Sequence, residues 1–200
     1  MSAAIAIGIT GASGAPYWRR LLEVLLENGQ TVHLTHSSNA DAVCRAELSQ
    51  PLSDVLASVE ANASGGASLK LFASNDFYAP MASGSARYRG MIIVPCSMGS
   101  LGRIASGSSA DLLTRAADVM LKERRRLVLL CRETPLNLVH LRNMTLLTEA
   151  GAVIMPASPG FYQKPEAIGD LVDFMVQRIC DQLDLDVKLV RRWGGMPDPE

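Results

Sequence analysis

The chemistry written into this chain is carried by its basic and hydroxylated residues. Of the 19 Lys and Arg residues, 15 are Arg and 4 are Lys. The planar guanidinium fork matches phosphate and carboxylate, so anionic ligands are the partners to look for. The densest cationic stretch is LLTRAADVMLKERRRLVLLCRETPL, residues 112–136. Between Arg115 and Arg142 lie seven basic residues (Arg115, Lys122, Arg124, Arg125, Arg126, Arg132 and Arg142) and three acidic ones (Asp118, Glu123 and Glu133), a local +4 on a chain of formal net charge −1. Arg115 and Lys122 are two helical turns apart and share one helix face. Arg132 and Glu133 directly follow the apolar run LVLLC, so a buried strand delivers them to its carboxyl end, where α/β sheets bind ligands. Arg124, Arg125 and Arg126 read as a solvated face.

Small, hydroxylated segments recur after other apolar runs. ITGASGAPY (residues 9–17) places Gly11, Ala12 and Ser13 in a tight turn before a helix, whose free N–H groups and positive dipole end suit an anion. It is neither a GxGxxG fingerprint nor a GK[ST] phosphate loop; the plain alternative is a strand-to-helix turn. VPCSMGSL (residues 94–101) repeats the pattern with Ser97, Met98, Gly99 and Ser100. Its Cys96 has no histidine nearby in sequence and reads as a buried thiol rather than a nucleophile. Ser37 follows a third run, and EAGAVIMPASPGFYQKP (residues 149–165) brings Tyr162 after a fourth. Tyr162 could equally pack on the core, and Arg178 further on could face solvent.

Other chemistries find little support. The charges nearly cancel, with 20 Asp and Glu against 19 basic residues, so general nucleic-acid or acidic-membrane binding is disfavoured. Cys44, Cys96, Cys131 and Cys180 show no CxxC spacing, which suggests neither a disulfide framework nor a zinc site. His33, His36 and His140 form no HExxH or HxH pattern; on a strand, His33 and His36 point to opposite faces. No metal is expected. Residues 3–10 are too short and lack the basic flank of a signal peptide, and no run reaches the ~18 apolar residues of a membrane span. A reducing cytoplasm is the expected compartment.

The elements that must position these residues alternate. Strands are expected at residues 3–10, 31–36, 69–72, 91–95, 127–131 and 152–155. Helices are expected from residue 16 to Asn28-Gly29, then at 41–48, 52–59, 99–105, 110–123, 135–150 and 165–183, with a surface loop at 60–68. Hydrophobicity of 48% over 200 residues supports one compact domain. Buried strands alternating with helices predict a three-layer αβα fold with a doubly wound parallel sheet, Rossmann- or flavodoxin-like. The domain is expected over residues 1–183, with 184–200 as a C-terminal tail packing on an oligomer.

In combination, TGASG, PCSMG, LTRAADVMLKERR, RETPL, HLRNM and PGFY resemble the UbiX-type flavin prenyltransferases, within the wider homo-oligomeric flavoproteins that include cysteine decarboxylases. The resemblance runs from about Ile7 to Trp193 and is tightest over residues 112–165. It implies joining a dimethylallyl group from dimethylallyl monophosphate to N5 and C6 of reduced FMN, without metal, to give prenylated FMN for a UbiD-type decarboxylase. It also implies a homo-oligomer, a dodecamer in this family. Carried over by motif, Lys122, Tyr162 and Arg178 hold the prenyl phosphate, supported by Arg115. Gly11, Ala12, Ser13, Ser37, Ser97, Met98, Gly99, Ser100 and Arg132 hold FMN. Ser13 and Glu133 bear on proton removal. The chain departs from the family at Phe77, where a Trp is usual, and at Arg126, where a Pro follows KERR.

Two rivals remain at this point. A cysteine decarboxylase would need an early catalytic histidine and a PxMN segment; MPASPGFY stands in its place. A non-catalytic FMN-binding accessory subunit would have no use for Lys122, Glu133, Tyr162 and Arg178.

Overall fold

A computed structural model describes residues 3–192 and 194. Six strands form one sheet: β1 (Ala4–Ile9), β2 (Thr31–His36), β3 (Ser68–Leu71), β4 (Tyr88–Cys96), β5 (Arg126–Cys131) and β6 (Val153–Pro156). Their order is β3-β2-β1-β4-β5-β6, and every neighbouring pair is parallel. Helices α1 (Ala15–Glu27), α2 (Ala40–Leu48), α3 (Leu52–Ala61) and α7 (Ile168–Gln182) cover one face. Helices α4 (Met98–Ala105), α5 (Leu112–Lys122) and α6 (Leu138–Glu149) cover the other. The expected αβα doubly wound fold is therefore the observed one.

Strand alternation sorts the core. Ile5, Ile7, Ile9, Val32, Leu34, Ile92, Val94, Val128 and Leu130 point to the α1/α7 side. Ala6, Met91, Ile93, Leu127 and Leu129 point to the α5 side. Both faces being buried explains why the strands read as continuous apolar runs. On β1 the α5 side carries only small residues, and a Cβ at Gly8 would lie 3.1 Å from Leu113, so α5 lies close over the sheet centre.

Several boundaries differ from the expected ones because caps decide them. Helix α5 starts at Leu112, since Asp111 accepts from the Thr114 N–H at 2.8 Å. Helix α6 starts at Leu138, three residues late, since Asn137 accepts from the His140 N–H at 2.9 Å. Helix α7 starts at Ile168, where Asp170 accepts from the N–H groups of Glu166 and Ala167 at 2.8 and 3.0 Å. Arg125 is not simply solvated: it donates to Ala86 O at 2.6 Å and Gly84 O at 2.7 Å, clamping the segment before β4. Beyond α7, Leu185 and Val187 are buried in this chain's own core; of the expected tail, Trp193 and residues 195–200 lie outside the described residues. Among the described residues no helix is long and apolar enough to cross a membrane.

The two central strands are tied at their carboxyl ends. The Thr10 hydroxyl donates to Pro95 O at 2.7 Å and accepts from the Ser97 N–H at 2.9 Å, in a site only 1% exposed. Thr10→Val keeps the shape and strands both backbone groups. It should lower the unfolding free energy by about 2–3 kcal/mol, read by chemical denaturation; a loss below about 0.5 kcal/mol would show that the backbone alone holds the strand ends.

Candidate active site

In this strand order the chain leaves β1 in one direction and β4 in the other, which opens a crevice at their carboxyl ends. The loops that follow β1, β2, β4 and β5 meet there. Gly11 lets the first two touch: a Cβ at that position would lie 2.5 Å from the Asn39 Cβ. Gly14, at φ +130, makes the turn into α1. The Ser37 N–H donates to Ile9 O at 2.8 Å, which fixes the β2 loop beside Gly11.

The N-terminus of α1 is not open to a phosphate, contrary to the expectation from ITGASGAPY. Glu47, from the end of α2, accepts from the Gly14 N–H at 2.9 Å and from the Ala15 N–H at 2.7 Å. It also forms a side-chain hydrogen bond with Ser13. Burial pulls the Glu47 carboxyl upward, but Ser13, the two backbone donors and the nearby Arg132 charge outweigh it and hold it below its ordinary value. Nothing in the spacing of α2 marks Glu47. Only the approach of the β1 and β2 loops brings it to Ser13.

Arg132 and Ser97 stand side by side as the continuations of adjacent strands β5 and β4. The Arg132 Nε and the Ser37 Oγ are buried without a hydrogen-bond partner. Two orphaned polar groups facing one crevice are what a bound polar ligand would satisfy, and a flavin phosphate or ring edge has the acceptors to do so. Ser97 caps α4 by accepting from the Ser100 N–H at 3.3 Å. Ser100 is 2% exposed and held by Ser97 Oγ and Arg103, each at 3.1 Å, so its hydroxyl serves the loop in a single chain. Ala12 and Met98 are buried, while Ser13 and Gly99 lie open at the surface of the crevice. Cys96 is buried, and its thiol is pushed well above the ordinary value by contact with Cys131 and by burial, which does not suit the nucleophile of a catalysed reaction. Glu133, delivered by β5 just after Arg132, is exposed and accepts from the Thr134 N–H at 3.1 Å.

The four residues expected at a prenyl phosphate do not gather in one chain. Arg115 and Lys122 lie on α5, on one face of the sheet; Arg178 lies on α7, on the other. Lys122 precedes β5 and so sits at the amino ends of the strands, ~20 Å of strand away from Arg132. Arg178 is also near the amino edge, since Arg89 at the start of β4 donates to Leu183 O just past α7 at 2.8 Å. Arg115 donates to Ala82 O at 3.1 Å and pairs with Asp118 at 2.7 Å. Lys122 pairs with Glu123, and Arg178 with Asp181 at 3.0 Å. Tyr162 stacks edge-on against Phe174 at 5.8 Å, which places it on the α7 side. Phe77 is half exposed, at 48%, in the segment that packs toward α5. Among the described residues no group of three His, Cys, Asp or Glu is placed to hold a metal.

The Glu47 position carries a pH signature. A carboxyl lowered by folding contributes stability that is complete above its unfolded value near 4.5 and is lost as pH falls through the lower folded value. Glu47→Gln should therefore unfold at a lower temperature than the parent at neutral pH, and the gap should close as the pH drops below 4.5. A gap that stays constant with pH would show that the charge of Glu47 plays no part at the α1 terminus.

The flavoprotein family model matches residues 2–180. The flavin prenyltransferase UbiX of Halalkalibacterium halodurans is 49% identical over 193 residues, covering 96% of this chain and 94% of that protein. The crystal structure of AnUbiX with FMN and dimethylallyl pyrophosphate superposes with a TM-score of 0.90 at 45% identity, covering 98% of this chain and 100% of that one. A dodecameric FMN-dependent UbiX-like decarboxylase from Escherichia coli gives a TM-score of 0.87 at 39% identity, over 96% of this chain and 100% of that one. The chain belongs to the flavoprotein family and, within it, to the UbiX flavin prenyltransferases.

Proposed function

We propose that this chain joins the dimethylallyl group of dimethylallyl monophosphate to reduced FMN, and that a UbiD-type decarboxylase receives the prenylated flavin. The observation that carries this reading is the pair of orphaned polar groups, Ser37 Oγ and Arg132 Nε, at the carboxyl edge, in a chain 49% identical to a flavin prenyltransferase UbiX. A reaction between two phosphorylated partners needs a second cationic set, which Arg115, Lys122, Tyr162 and Arg178 would supply once subunits assemble. The dodecameric relative supports a homo-oligomer, with a dodecamer as the specific assembly proposed. In it, Lys122 and Arg115 of one subunit and Tyr162 and Arg178 of another would close over the crevice of a third, with the C-terminal tail packing at these contacts.

Reduced FMN supplies the nucleophilic ring positions N5 and C6 when bound. Gly11, Ala12, Ser13, Ser97, Met98, Gly99 and Ser100 line its place, and Ser37 and Arg132 satisfy their orphaned atoms on it. Lys122, Tyr162, Arg178 and Arg115 neutralise the departing phosphate, a task for fixed donors in a site that excludes water. Phe77 offers an aromatic face to the allylic carbons, with a weaker quadrupole than indole. Glu133 accepts the proton that leaves C6, and Ser13, held by Glu47, positions a proton at the flavin edge. We assign the activity to the cytoplasm, without metal. The cysteine-decarboxylase alternative finds no histidine on α1, α2 or α3.

Mass spectrometry of the flavin after incubation with reduced FMN and dimethylallyl monophosphate should show one added dimethylallyl unit, undiminished by exhaustive chelation. Unchanged FMN would refute the reading, strict dependence on added Mg²⁺ would refute its metal-free part, and a preference for the pyrophosphate would refute the choice of donor.

Lys122→Ala and Arg178→Ala should each keep FMN and lose ~10²–10³ of the rate. Mixed assemblies of the two variants should regain activity, because some sites draw both intact residues from different subunits. No recovery on mixing would mean that one subunit supplies both.

Glu133→Gln should bind both substrates yet form little complete product. Product at the parent's rate would assign the base elsewhere.

A further inference from the structure

The carboxyl ends of β4 and β5 hold a pair of thiols that the proposed reaction does not use. Cys96 and Cys131 are direct cross-strand partners in the parallel register. They are 0% and 5% exposed, and Cys131, beside Cys96, helps push the Cys96 thiol well above its ordinary value. Both are free. Neighbouring strands lie ~4.8 Å apart, inside the range of about 4.4–6.8 Å between Cα atoms that a disulfide accepts. Cys44 and Cys180 belong to the core on the opposite face of the sheet. The residues that follow the pair directly are Ser97 and Arg132, two members of the crevice rim.

We propose that Cys96 and Cys131 form a two-electron redox site whose closure to a cross-strand disulfide weakens ligand binding on the rim. The effect on binding rests on the reading that this rim holds FMN. The oxidant is a small hydroperoxide. Cys131, the more exposed of the two at 5%, is oxidised first: its sulfur gains an oxygen as the sulfenic acid, and the peroxide leaves as water or an alcohol. The Cys96 thiol then displaces that oxygen. The S–S bond forms, the S–O bond breaks, and the thiol proton departs in a second water. Cys96 is fully buried, so the peroxide meets Cys131 first and Cys96 serves as the resolving partner. Closure draws the two sulfurs to about 2.05 Å and shifts the backbone that leads into Ser97 and Arg132.

The test is made on the whole protein, treated with hydrogen peroxide, alkylated, digested and mapped by mass spectrometry, with FMN affinity measured in parallel. A Cys96–Cys131 linked peptide is expected, with Cys44 and Cys180 alkylated. FMN affinity should fall about tenfold or more, as an ångström-scale displacement of ligand-positioning groups implies, and recover with a dithiol reductant. In Cys131→Ala neither the link nor the peroxide effect should appear. Four free thiols, Cys131 oxidised onward to a sulfinic acid, a link to Cys44 or Cys180, or a Cys96–Cys131 link with unchanged FMN affinity would overturn the proposal. A link that forms and reverses in a protein that binds no FMN even when reduced would support the redox pair and refute the flavin reading instead.

Discussion

The parting of β1 and β4 is the constraint on which the rest of the structure depends. Two parallel strands whose connections leave in opposite directions cannot cover their own carboxyl ends, so backbone and side-chain polar groups are left facing a crevice. Thr10 holds that opening at a set width, since one hydroxyl serves Pro95 O on one side and the Ser97 N–H on the other. With the strand ends locked, Gly11, Ser37, Ser97 and Arg132 have fixed positions relative to one another. A rim built this way meets a ligand without first having to order itself.

Anions compete for the helix ends at that rim, and the chain has already filled one of them. Glu47 satisfies the first turn of α1, which uses the helix dipole to hold a side chain rather than a phosphate. The consequence is a carboxylate, hydrogen-bonded to Ser13 and facing Arg132, where a bare phosphate cradle was expected. Such an edge has a held carboxylate on one side and the unsatisfied Arg132 Nε and Ser37 Oγ on the other.

The sheet also keeps the cationic residues apart. Six strands with helices on both faces form a wall, and Lys122 and Arg178 sit on opposite sides of it at the amino edge. No side-chain rearrangement within one chain brings them to Arg132, because a Lys or Arg side chain reaches far less than the length of β5. Under the proposed reaction, a site that needs all of them is shared between copies of the chain, and assembly becomes part of the chemistry.

The fold class, the six strands and the seven helices were all legible in the sequence, because strands buried on both faces and amphipathic helices leave different apolar periods. The loops that would form the rim were legible too, since small and hydroxylated residues follow each apolar run. Helix starts at Leu112, Leu138 and Ile168 were misjudged by a few residues because a cap depends on one side chain turning back to one N–H, which no period records. Glu47 was invisible because its role comes from the packing of the loop after β2 against Gly11. The adjacency of Cys96 and Cys131 was equally hidden: 35 positions apart in the chain, they meet only through the register of β4 on β5. Arg115, Lys122, Tyr162 and Arg178 were recognisable by motif, yet their separation by the sheet is a property of topology. Sequence by itself determined which residues could do the chemistry and which elements would carry them, since both follow from local composition and period; the tertiary structure alone decided which of them meet, because contact between distant residues is set by strand order and register.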